Sequence, residues 1–187
     1  MMDQTFEKLL LEQCAPTLAG VKPANLFRIR DLERARRACA EWDRKLTPLG
    51  LRVMVLREYP DADACVIYVC RRRWLERILK ERENQNFLRE MGYRAFRTED
   101  ALRHLNRRLG EQGEYPHEIG VFLGYPLADV KGFIAHRGQN YTYCGHWKSY
   151  GDPEAARRCS DRYQACIDAY KRMYVQGVPM MKMVVVA

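Results

Sequence analysis

Residues 51–71 read LRVMVLREYPDADACVIYVCR, and the interpretation of this stretch decides the fold class. Two runs rich in Val and Ile flank the break YPDAD at 59–63. Such runs favour extended backbone, and Pro with Asp between them favours a reversal. The pattern predicts an antiparallel hairpin pairing 51–58 with 64–70. Cys65 and Cys70, five apart on the second strand, fall on opposite faces and read as packing residues.

Outward from the hairpin, the period changes. On the N-terminal side, Asp31 is placed to cap a helix over 31–46 whose stripe is Leu32, Ala35, Cys39, Trp42 and Leu46, stopped by Pro48 and Gly50. LFRIR (26–30) reads as a short strand and residues 5–13 as a short helix. Between them CAPTLAGVKPANLF (14–27), with two prolines and a glycine, reads as a loop. On the C-terminal side, Arg71, Arg72 and Arg73 read as solvated arginines opening a helix over about 72–90, interrupted near Glu83 and Asn84. Thr98 is expected to cap a helix with Leu102, Leu105 and Leu109 inward, closed by Gly110. Two short helices follow at 117–123 and 127–137. YTYCGHWKSY then reads as a strand near 141–149, and Pro153 starts a final helix with Cys159, Tyr163, Cys166 and Tyr170 on one stripe. Hairpin strands mixed with helices, without regular strand–helix alternation, predict an α+β fold. The expected sheet is small and mainly antiparallel, built from the hairpin plus the strand near 141–149, in a single domain over 1–187.

Composition narrows the function classes. Hydrophobic residues make up 47% and charged residues 30%, ordinary for a globular protein. No apolar run approaches the roughly 20 residues of a membrane helix, and the acidic start MMDQTFEKLLLEQC lacks the basic region of a signal peptide. The apolar tail MMKMVVVA reads as a terminal strand or a docking segment. Seven cysteines without a Cys-x-x-Cys pair fit free thiols in a cytoplasmic protein. The net charge of +8 admits an acidic partner, whether nucleic acid or an anionic small molecule. The phosphate loop, the dinucleotide fingerprint and the zinc-protease helix are missing. HEIG at 117–120 begins like the last of these, but Val121 stands where its second histidine belongs.

The pair of helices in PHEIGVFLGYPLADVKGFIAHRG (116–138) has helix-turn-helix spacing. Gly124 falls at the turn, Gly120 where the helices approach, and Ile119, Leu123, Val130 and Phe133 face inward. Its second helix opens with Pro126, Leu127, Ala128 and Asp129; Leu and Ala cannot read base edges by hydrogen bonds, and Asp129 repels phosphate. Nucleic-acid binding through 117–137 is therefore an alternative to plain packing.

Three segments, CAPTLAGVKPANLF, YPHEIGVFLGYPLADVKGFI and NYTYCGHWKSYGD, in this order and spacing, resemble a bacterial family catalogued as domain of unknown function 3793. The resemblance covers nearly the whole chain and carries no catalytic residues to transfer. What it adds is a second alternative, a role linked to iron, haem or flavin redox chemistry.

The same segments hold the candidate site, a pocket joining residues 14–27, 115–125 and 140–148 for an anionic small molecule or cofactor. Thr17, Lys22 and Asn25 lie on the proline-shaped first segment, where backbone N–H groups can receive an anion. His117 and Glu118 open the second, which ends at Tyr125. In the third, alternation puts Cys144, His146 and Lys148 on one face, and Asn140, Tyr141 and Trp147 complete a polar and aromatic wall. Cys14, His117, Cys144 and His146 are the ligand types for a metal or haem, and Cys14 or Cys144 with a histidine is the composition of a thiol catalyst. Nothing in the sequence separates binding from catalysis here.

Overall fold

The computed structural model describes residues 5–111 and 115–186. Strands β1 (Ala24–Arg30), β2 (Leu51–Tyr59) and β3 (Ala64–Arg71) form an antiparallel sheet in the order β1-β3-β2. Every residue of β3 is buried, which is why ACVIYVC is a continuous apolar run and not an alternating one. The expected hairpin is present, with Leu51 opposite Arg71 and Tyr59 opposite Ala64. A bulge between Val55 and Arg57 breaks the register, leaving Leu56 buried. The turn ends on Asp63 with φ +42, a conformation that Asp tolerates better than most residues. The Asp63 carboxylate accepts the Leu32 N–H while Asp31 accepts that of Arg34, so two acids cap helix α2 (Leu32–Leu46).

The α+β class stands, but the third strand of the sheet is β1. Residues 141–149 are not a strand of it: they form a separate ladder of β4 (Tyr143–Cys144) and β5 (Lys148–Ser149). The reversal sits at Gly145, where a Cβ would stand 2.4 Å from the Ser160 hydroxyl and 2.7 Å from the Tyr143 ring. Glycine is the residue that fits there, and the continuous alternation expected of Cys144, His146 and Lys148 breaks at this turn.

The chain divides into two compact units, residues 5–75 with 166–186, and residues 76–165. In the first, helix α1 (Phe6–Leu18) and α2 pack with Phe27, Val53, Cys65, Ile67 and Val69 of the sheet. The segment expected as a loop from residue 14 is helical through Leu18, with Pro16 inside the helix. An interior proline costs ~3 kcal/mol. Burial of Leu10, Cys14 and Leu18 along one stripe outweighs it. Residues 166–186 add Tyr170, Met180 and Met183 to this core, and the tail forms a short helix over Met180–Met183 and not a strand.

Arg71 is not a solvated helix-start arginine. It is 1% exposed and donates from Nε to the Thr17 carbonyl (2.8 Å), and from Nη2 to those of Leu18 (2.9 Å) and Val185 (2.8 Å). The last turn of α1 has no basic residue of its own. A guanidinium delivered from β3 adds a charged donor to carbonyls that also accept the N–H groups of Gly20 and Val185, and it complements the negative end of the helix. Burial lowers the Arg71 pKa.

After β3 come α3 (Arg72–Lys80) and α4 (Arg82–Glu90), broken at Glu81. Asn84 and Gln85, near the expected interruption, bridge the break, donating to the carbonyls of Ile78 and Leu79. Helix α5 (Thr98–Leu109) buries Leu102, Leu105 and Leu109 and ends at Gly110 as expected. Thr98, however, is its first helical residue and not its cap; the cap position is Arg97, without a side-chain bond, and Glu99 and Asp100 favour the first turn instead. Then follow α6 (Ile119–Phe122), α7 (Leu127–Ala135), β4, β5 and α8 (Pro153–Val175). Among the described residues no helix is long and apolar enough to cross a membrane.

Candidate functional site

The geometry of the second unit is set by one carboxylate. Asp129, in the first turn of α7, is 4% exposed. Its Oδ1 accepts the Tyr150 N–H (2.7 Å), the Gly151 N–H (3.1 Å) and the Ser149 hydroxyl (3.1 Å), and its Oδ2 accepts the Trp147 indole N–H (2.8 Å). Four donors on one buried carboxylate hold the β4–β5 hairpin to α7. Thr142 reinforces the same turn through the carbonyls of Ser149 and Gly151. Two glycines allow the close packing. A Cβ on Gly132 would lie 2.4 Å from the Tyr150 ring, and one on Gly120 would lie 2.7 Å from Val130, where α6 meets α7. The two helices of the pair thus pack directly on each other through Gly120 and Val130. Asp129, the residue read as repelling phosphate, is buried, and the nine residues of α7 carry a single cation, Lys131.

These contacts frame a cavity of about 390 Å³. Ile119, Gly120, Leu123, Val130 and Phe133 form its helical side, and Cys144, Gly145, His146, Trp147 and Lys148 its hairpin side. The Tyr125 and Trp147 rings stack at 5.4 Å and 20°. Both also line a neighbouring cavity of about 280 Å³ that reaches Ala156 and Tyr163, so the indole is a wall common to both. Burial pushes the Tyr125 phenol up to about 12, and its hydroxyl donates to the His146 carbonyl.

Two imidazoles line the larger cavity. His117 packs on Phe133 at 4.7 Å. His146 meets Tyr163 edge-on at 5.6 Å, and its Nδ1 lies 2.8 Å from the Ser160 hydroxyl, which also receives the His146 backbone N–H. Lys148 supplies the cation. Its ammonium donates to the Gly138 carbonyl (2.8 Å) and stands over the Tyr141 ring at 4.9 Å and the Phe133 ring at 6.0 Å.

Of the candidate residues, His117, Tyr125, Cys144, His146, Trp147 and Lys148 line this cavity together. Tyr141 is exposed beneath the Lys148 ammonium, and Asn140, exposed with φ +57, forms the turn before it. Glu118 is 1% exposed and occupied structurally, accepting from Arg108 Nε (3.1 Å) and the Tyr93 hydroxyl (3.3 Å). Thr17, Lys22 and Asn25 belong to the first unit. There the Thr17 hydroxyl donates to Asn25 Oδ1 (2.7 Å), and Thr17 and Lys22 are both buried.

Cys14 is fully buried and its thiol is pushed far up by desolvation, the reverse of what a nucleophile or a thiolate ligand needs. Among the described residues no three His, Cys, Asp or Glu side chains come together as a metal cage would require. Cys144 is exposed. Asp129, Phe133 and Ser160 were not among the candidates. The signal for Asp129 was an acid beside Val130 on the inward side of α7.

The family model described as Protein of unknown function (DUF3793) matches residues 10–184, and the chain belongs to that family. No curated protein and no solved structure matches it.

Proposed function

We propose that the second unit is a binding module for a planar, largely apolar small molecule that carries an acidic group. One observation carries this reading: an aromatic cavity of about 390 Å³ whose rim holds an ammonium, Lys148, beside two imidazoles. Its size falls in the range of small-molecule sites, roughly 300–1,000 Å³, which are typically apolar with a few polar groups that fix orientation. The stacked Tyr125 and Trp147 offer a flat wall to a ring, and the Lys148 ammonium, beside the imidazoles of His117 and His146, offers a charged donor to an anion. The ligand set is thus narrower than the three-segment pocket expected from sequence, and it lies within one unit.

Calorimetric titration with 1-naphthoate and with the uncharged 1-naphthalenemethanol tests the proposal. The acid is expected to bind more tightly than the alcohol. Trp147→Ala is expected to weaken both, and Lys148→Met to remove the preference for the acid by about tenfold, the worth of one charge-assisted contact. Absence of saturable binding of either compound in the millimolar range would reject the reading, as would an unchanged preference in Lys148→Met. Titration with FMN, a planar ring bearing a phosphate, examines the flavin alternative in the same assay.

A further inference from the structure

A different cavity of about 440 Å³ lies in the second unit, lined by Gly92 and Arg94 from the turn after α4 and by Asp100, Arg103, His104 and Arg107 of α5. The α5 positions are spaced i, i+3, i+4 and i+7, so they share one helix face. Three guanidiniums face one carboxylate there, and that carboxylate is already engaged: Arg103 Nη1 lies 3.2 Å from Asp100 Oδ1. Arg107 Nη2 lies 2.7 Å from His104 Nδ1. A guanidinium only donates, so Nδ1 accepts and the ring proton resides on Nε2, a further donor. Burial, and then the neighbouring Arg107, hold the His104 imidazole below its ordinary range.

Behind this cavity, His104 rests on a buried ring. The Tyr93 ring lies 4.0 Å from the His104 ring and is 1% exposed. Its hydroxyl donates to Glu118, which is paired with Arg108. Three arginines beside an imidazole that rests on a buried tyrosine concentrate positive charge and N–H donors in one place, which favours anion recognition.

We propose that this face of α5 binds a small phosphorylated molecule through a diphosphate or an equally dense group of phosphoryl oxygens. Arginine forks match phosphoryl oxygens two at a time, and of the polar side chains lining the cavity all but Asp100 present donors. A single-stranded nucleic acid fits less well. Such ligands stack their bases on open aromatic faces, and the aromatic ring here, Tyr93, is buried.

The test is calorimetric titration of the intact protein with inorganic pyrophosphate at low salt. Saturable binding is expected, with Arg94→Gln and Arg107→Gln each weakening it about tenfold. Arg37→Gln, the same charge change on exposed α2, is expected to leave it unchanged. Asp100→Asn is expected to tighten binding, an effect that misfolding cannot mimic. Four results would overturn the proposal: no binding in the millimolar range, equal loss in Arg37→Gln, tighter binding of citrate than of pyrophosphate, or tighter binding of a single-stranded oligonucleotide. None of these outcomes bears on the aromatic cavity, whose residues the variants do not touch.

Discussion

Replacing Asp129 by Asn keeps the shape of the side chain and removes its charge, which isolates what the carboxylate does. In the folded protein one oxygen takes three donors, from Ser149, Tyr150 and Gly151, and the other takes the Trp147 indole N–H. An amide can keep its oxygen toward the three donors only by turning its NH2 toward the indole, setting donor against donor. One charge-assisted bond worth ~1.5–3 kcal/mol is lost and three others weaken, so Asp129→Asn should cost about 3 kcal/mol. For a chain of this size that lowers the Tm by about 6–12 °C. Urea unfolding monitored by circular dichroism measures the cost, and a double-mutant cycle with Trp147→Phe apportions it. Phe offers no N–H to oppose the amide, so in that background Asp129→Asn should be milder by about 1.5 kcal/mol. A cost below about 1 kcal/mol, or an equal cost in both backgrounds, refutes the claim that this carboxylate holds the hairpin.

Arg71→Met removes three charge-assisted hydrogen bonds, although the Gly20 N–H stays on the Thr17 carbonyl and the Val185 N–H on that of Leu18; it should destabilise the first unit by about 3 kcal/mol in urea, with Arg71→Lys recovering part of the loss. In the folded protein an aromatic disulfide reagent should label Cys144 quickly and leave Cys14, Cys65 and Cys70 untouched until unfolding; burial pushes Cys65 up to about 11 and Cys70 up to about 12. The lowered pKa of His104 means that the unfolded chain binds its proton first as the pH falls. Its contribution to stability is therefore complete above the ordinary histidine value and declines below it, and Tm profiles of His104→Gln should lack that share of the decline.

How much of this was legible in the sequence depends on the range of the forces involved. The hairpin at 51–71 and the capped helix from Asp31 were readable because turn chemistry and period act over a few residues. The helix through Pro16 was not, because a local penalty was outweighed by core contacts that the residue string does not display. Cys144, His146 and Trp147 were found as polar and aromatic residues on a short stretch, but their alternation failed at Gly145, whose need for glycine comes from Ser160, distant in sequence. Asp129 and Arg71 were misread for the same reason: each is a charge whose partners arrive from other elements, and a charge read alone defaults to solvent.

The reach of Arg71 has a consequence for how the chain is made. Its three acceptors lie at residues 17, 18 and 185, and the core around it draws Tyr170, Met180 and Met183 from the same late stretch. On the ribosome, the buried guanidinium waits without its last acceptor until residues 166–186 have been synthesised. The second unit is continuous over 76–165, so its contacts close over shorter loops and can form earlier. The strands of the first unit are thus completed late, and the early β2–β3 hairpin, apolar along its inner strand from Ala64 to Cys70, is the segment exposed to misassociation in the interval.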